Sequence, residues 1–165
     1  MKKLSVFLFL IASFVLIPVQ SKANNSIFER LAGNWQGTGV VSGMDSQITM
    51  NWESVLAGKF YRLSFRNNMK GKNGPVVFEG TAFYQAKTAS QTEGSWFDSF
   101  GSIRPIKALI ETDKLTANWG NPETEEGQTI YRLVDADKLE VVDSVKTKDG
   151  AWREFGHSVF TKTRD

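Results

Sequence analysis

Few residues in this chain are equipped to do chemistry. There is one imidazole, His157, and no cysteine. A thiolate nucleophile, a disulfide framework and a Cys-held metal site are therefore excluded. One His cannot build a multi-His zinc cluster, and no metal site is expected. It can supply the single axial ligand of a haem, if it lies in an apolar pocket.

Asp98 follows Trp96 by two residues. On a strand the two share a face, and a carboxylate in an aromatic surround is a candidate general acid or base. Tyr84 or Tyr131 would be its proton partner. The competing role is structural: Asp98 stands beside the turn residue Gly101 and can accept backbone N–H groups there. The structural or ligand-orienting role is favoured, and no residue is assigned as catalytic. Arg62 and Arg66 share one strand face and could fork onto a ligand carboxylate, or lie on a solvated outer face. Alternation alone supports both.

Other motifs are missing. There is no Gly-x-Ser-x-Gly elbow, P-loop or His-Glu-x-x-His. Gly37-x-Gly39 runs along a strand and opens no helix, so it is no dinucleotide fingerprint. The acidic stretch 121–126 has no calcium-loop spacing.

The elements that must position these residues begin with a leader. Lys2 and Lys3 precede an apolar run over 4–17, Pro18 breaks it, and Ser21-Lys22-Ala23 has small residues at the −3 and −1 positions. This is the pattern of a secretory signal peptide, residues 1–23, cleaved after Ala23. The run is shorter than the ~20 residues of a spanning helix. An exported protein, periplasmic or secreted, is expected, without stable membrane insertion after cleavage. The whole chain carries 20 basic and 18 acidic residues. Loss of Lys2, Lys3 and Lys22 leaves 24–165 close to neutral, which argues against nucleic acid as a partner.

Ser26 and Glu29 form a capping box ahead of a short helical turn ending near Leu31. Beyond Gly33, aromatic and β-branched residues alternate with polar ones. Turn residues recur at Gly43, Ala57-Gly58, 70–74, 87–91, Gly101, Thr112-Asp113, 121–127, 135–137 and 148–150. Nine turns separate ten strands. Ten long antiparallel strands in one small all-β domain, 24–165, predict a closed up-and-down barrel, because closure removes exposed edges. A two-sheet sandwich is the alternative.

Alternation predicts an inward set of Trp35, Met50, Trp52, Phe78, Tyr84, Trp96, Trp119, Tyr131 and Leu139. The phase of 59–66 stays open. So does that of 152–160, where Trp152 and Phe160 oppose Phe155, His157 and Val159 unless a bulge intervenes near Gly156. Ten strands enclose more width than the eight that side chains just fill, and Gly37, Gly39, Gly80 and Ala82 keep wall positions small. A ligand cavity is expected, lined by Trp52, Phe78, Tyr84, Trp96, Trp119 and Tyr131. Asp98 and Arg62 would orient the ligand.

Leu31-Ala32-Gly33-Asn34-Trp35 resembles the opening of calycin barrels, the lipocalin and fatty-acid-binding superfamily, in which a helical turn precedes Gly-x-Trp. Further pieces resemble a bacterial lipocalin-like family with no assigned function: Phe78-Glu79-Gly80, 94–99 with its Trp-x-Asp-Ser, Trp119-Gly120, Thr129-Ile130-Tyr131-Arg132 and Asp149-Gly150-x-Trp152. More distantly, Gly37-x-Gly39 is similar to nitrobindin-type haem barrels. The resemblance implies an antiparallel barrel, with a late basic side chain, Arg164 or Arg132, over the Trp35 indole. It brings no activity.

The expectation is an exported barrel for a small apolar or amphipathic ligand, with no resident cofactor. An enzyme using Asp98 and a haem barrel with His157 as axial ligand are the alternatives. Expressed in a host that exports it, the protein should begin at Asn24, as its intact mass would show; a retained leader would refute the cleavage.

Overall fold

A computed structural model describes residues 26–86 and 90–164. The leader and its cleavage point lie outside the described residues, as does part of the turn expected at 87–91. Helix α1 (Ile27–Leu31) leads into ten strands: β1 (Gly33–Val41), β2 (Met44–Val55), β3 (Phe60–Gly71), β4 (Gly74–Gln85), β5 (Gln91–Asp98), β6 (Ile103–Ile110), β7 (Lys114–Asn121), β8 (Glu125–Leu133), β9 (Lys138–Lys146) and β10 (Trp152–Lys162). Each pairs antiparallel with the next, and β1 pairs with β10 to close a barrel. The closed antiparallel barrel expected from the turn spacing is the fold observed. Among the described residues no helix is long and apolar enough to cross a membrane.

Turn chemistry sets the hairpins. Val41 pairs with Met44 across a two-residue loop, and Ser42 and Gly43 both have positive φ, 50° and 74°. That backbone twist matches the twist of the flanking strands.

Two ambiguities of phase are settled by pairing. In β3, Leu63 is fully buried and Tyr61 packs on the core, so Arg62 and Arg66 face out. There they meet Glu53 and Glu79 of the adjacent strands. In β10 the register shifts between Glu154 and Gly156, leaving Phe155 as the extra residue of a bulge. Beyond it Ser158 and Phe160 are buried, while His157 and Val159 are exposed. His157 therefore lies on the outer wall, with Nε2 3.0 Å from Glu140 and Nδ1 3.8 Å from Glu154. This corrects the haem alternative: the imidazole does not face the barrel interior, and its neighbours are carboxylates rather than an apolar pocket.

Helix α1 plugs one end of the barrel. Its capping box is formed, with Glu29 N donating to Ser26 Oγ and Ser26 N donating to Glu29 Oε2. Ile27, Phe28 and Leu31 are buried. The Phe28 ring stacks on Tyr61 at 4.7 Å and lies 5.5 Å from Tyr84 and 6.0 Å from Trp52. Two donors pin the helix carbonyls: Trp35 Nε1 to Leu31 O at 2.7 Å and Lys162 Nζ to Arg30 O at 3.0 Å. The cation over the Trp35 indole is Lys162, 5.1 Å from the ring centroid, and not Arg164 or Arg132. Inward phase in β10 carries Lys162 over the indole, whereas Arg164 pairs with Asp137 and Arg132 is exposed.

Phe28 is the part of the plug that reaches the barrel aromatics. Phe28→Ala should cost about 3–5 kcal/mol, because the removed ring leaves a cavity that rigid strands cannot collapse. Urea unfolding measures this; a loss well under 1 kcal/mol would mean that α1 does not seal the end.

Candidate functional site

The two halves of the barrel differ. Toward α1 the interior is solid: Trp35, Trp52, Leu63, Tyr84, Leu115 and Leu139 are essentially inaccessible. Toward the other end, the inward side chains Phe65, Phe78, Trp96, Trp119 and Asp143 keep accessible surface, whereas Ser46, Ile48, Asn67, Met69 and Ser158 on β2, β3 and β10 are buried. This end is the mouth.

Trp52, Tyr84 and Tyr131 form the floor. Trp52 stacks on Tyr84 at 5.5 Å and meets Tyr131 edge-on at 5.3 Å. The tyrosine hydroxyls interact with each other and with Asp143. Burial pushes both phenols well above their ordinary value, so they stay neutral donors and acceptors.

Two indoles panel the walls above. A Cβ on Gly80 would lie 2.0 Å from Trp96 Cζ2, and one on Gly127 the same distance from Trp119 Cζ2. Each indole therefore lies flat against a glycine of the neighbouring strand instead of projecting across the lumen. Each is fixed by its N–H. Trp96 Nε1 donates to Asp98 Oδ2 at 3.1 Å, and Trp119 Nε1 donates to Thr129 Oγ1 at 3.1 Å. Asp98 Oδ1 also accepts from the N–H groups of Phe100 and Ser102. Asp98 thus joins the β5–β6 turn to the Trp96 panel, and its geometry is that of a brace.

Thr129 passes its own proton on, donating to Asp143 Oδ1 at 2.6 Å. Asp143 keeps part of its surface, but the packed groups around its carboxyl desolvate the charge and push its pKa up to about 6, against the lowering effect of Thr129. It faces Gly156 across the β9–β10 pair, where a Cβ would meet Oδ2 at 3.0 Å. At the rim, Phe78 lies 5.3 Å from the exposed Phe100, and the Arg104 guanidinium lies 4.9 Å from the Trp119 centroid while donating to Glu125 at 2.8 Å.

Of the eight residues expected to touch a ligand, Trp52, Tyr84 and Tyr131 sit at the floor, and Phe78, Trp96, Asp98 and Trp119 sit toward the mouth. Arg62 is excluded from this group. Its Nε donates to Glu53 Oε1 at 3.1 Å on the outer wall, so it cannot orient a ligand inside. The sequence reading did not name Asp143, Asn67, Ser158 or Arg104. Asp143 had a usable signal, since it continues the inward phase of Leu139 and Val141. Asn67 likewise follows Leu63 and Phe65. Ser158 had none without the bulge.

No family model matches this chain, and no curated protein does. Among solved structures it is similar to an S-type phycobiliprotein lyase from Guillardia theta, at 13% identity over 90% of this chain and 99% of that one, with a TM-score of 0.59. A de novo designed fluorescence-activating β-barrel also matches, at 13% identity over 84% of this chain and 99% of that one, with a TM-score of 0.47. The lyase is a likeness of fold.

The Asp143 shift has a thermodynamic consequence. Between pH ~4 and ~6 the folded chain binds this proton more tightly than the unfolded chain, so stability falls as pH rises through that window. Asp143→Asn should be more stable than the parent near neutral pH, by ~1–3 kcal/mol, with the gap closing toward pH ~4. Urea unfolding across that range checks the sign; a gap that persists or widens at low pH would overturn it.

Proposed function

We propose that this chain is an exported barrel that binds a small amphipathic ligand in the mouth half of its lumen. The observation that carries this is the asymmetry of the interior. One half is plugged by α1 and packed solid, while inward aromatics and a carboxyl in the other half keep accessible surface. Concave sites with apolar walls and a few fixed polar groups are the usual architecture for small ligands. Flat indoles held by N–H bonds over glycines offer two faces for an aromatic or extended apolar body, without rotamers left to freeze on binding. The leader pattern in 1–23 supports export. A barrel of the same plan serves the phycobiliprotein lyase, but a shared fold does not fix a function, so the reading rests on the site itself. Asp98 and His157 lend no support to the alternatives, since one is engaged by three donors and the other is outside.

The test is a panel of lipids, aromatic amines, aromatic acids and polyenes, read by tryptophan emission and melting temperature. A binder at about a hundred times its Kd should stabilise the protein by about 2.7 kcal/mol. Replacing Trp96 or Trp119 with Ala should weaken it by roughly tenfold or more, since burying an aromatic face against a ligand contributes on the order of 1–3 kcal/mol. If the panel leaves both emission and melting unchanged, and native mass spectrometry of exported protein shows only the bare chain, the ligand-binding reading falls.

A further inference from the structure

Charge and unpartnered polar atoms in the lumen define what the ligand must carry. On the closed side, Lys162 is committed to Trp35 and to the Arg30 carbonyl. On the mouth side, Arg104 from β6 is committed to Trp119 and Glu125, and Arg153, opposite Val145 of β9, is exposed at the rim. Asp98 from β5 has both oxygens engaged by the donors of Trp96, Phe100 and Ser102. Asp143 differs. Thr129 donates to Oδ1, and among the described residues no donor is seen on Oδ2, which lies beside Gly156, where an added Cβ would come within 3.0 Å of it.

Two further interior groups lack protein partners. Asn67 is 1% exposed with its Oδ1 unpaired, and Ser158 is 3% exposed with its Oγ unpaired. A buried polar atom left without a partner destabilises the fold. On the floor, Trp52 Nε1 is a buried donor that is also unpaired. Ser158 is paired with Val141, two residues before Asp143 on β9, and Asn67 lies on β3; the carboxyl itself is linked through Thr129 to the Trp119 indole.

Resting on the small-ligand reading above, we infer that the lumen takes a flat, apolar molecule bearing a cationic or N–H-rich nitrogen. Asp143 anchors that nitrogen, and carboxylate-headed molecules such as fatty acids are disfavoured. An ammonium donates to Oδ2 and draws on the indole faces as well. A carboxylate in the same place would face the Asp143 charge, while the Arg153 guanidinium stands further out at the rim. This reverses the preference implied by an inward Arg62, which the outer-wall pairing with Glu53 removes.

The test holds the body constant and varies the head: naphthylmethylamine, naphthylmethanol and naphthoate, titrated calorimetrically into the exported protein near neutral pH. The amine should bind roughly tenfold or more tighter than the alcohol, as expected for a hydrogen bond to a charged group, and naphthoate should bind weakest. Asp143→Asn should abolish the amine's advantage over the alcohol, since the charge that distinguishes the two heads is lost. On the unaltered protein the advantage should also fade as pH is lowered through about 6, where Asp143 gains its proton. The phenols of Tyr84 and Tyr131 do not titrate there, and His157 is outside the lumen. The order among the three ligands is read on the unaltered protein, so it stands whether or not the variant folds.

Equal affinities, or naphthoate binding tightest, would show that the lumen binds ligands without Asp143 as anchor, and would overturn this inference alone. So would silence of all three probes while other members of the wider panel bind. Silence of both sets would remove the ligand-binding reading, and this inference with it.

Discussion

Closing ten strands on themselves encloses more width than the wall's own side chains can fill, since eight strands already reach that limit. The rest of the molecule answers this constraint. One end is stopped by α1, whose Phe28 joins Tyr61, Tyr84 and Trp52 in an aromatic layer that no single strand could span. The helix is too short to persist alone. It is held by its capping box and by donors from β1 and β10 that take its last carbonyls. Trp35 therefore ties the helix to the seam between the first and last strands.

Toward the mouth the same constraint has a different answer. Trp96 and Trp119 are large enough to cross the lumen, yet each is laid on a glycine and held there by its N–H. Glycine weakens a strand through lost packing and greater chain entropy, and its use at Gly80 and Gly127 is justified by the close approach of a ring. Asp98 then has a double service, since the oxygens that close the β5–β6 turn also aim Trp96. The second indole is aimed through Thr129, which is held in turn by Asp143. Panel and carboxyl form one hydrogen-bonded chain on the β7–β8–β9 wall.

Asp143 sits where a carboxylate works against folding. Desolvation raises its pKa, the neighbouring phenols are neutral, and among the described residues a donor is seen on Oδ1 and none on Oδ2. A structural role would be served by an apolar side chain of similar size, as buried charges are seldom retained for stability alone. The arrangement makes sense when the missing donor comes from outside the chain.

The sequence by itself determined the strand count, the turn positions, the capping box and most of the inward aromatics. Each rests on a local rule: period-two alternation, positive-φ turn residues, and a side-chain oxygen three residues from an acid. Alternation fixes which residues share a face but not which face is inside, so Arg62 and Leu63 exchange places under either choice. Only pairing with Glu53 and closure around Leu63 decided between them. The Phe155 bulge likewise depends on the register of β10 against β9, which lies in neither strand alone, and it sends His157 outward and Ser158 inward. The cation over Trp35 became Lys162 for the same reason. Asp143 had the right phase in the sequence, beside Leu139 and Val141. Its partial desolvation and its unengaged oxygen required the neighbouring strands, since desolvation and the supply of donors depend on residues brought together across the barrel.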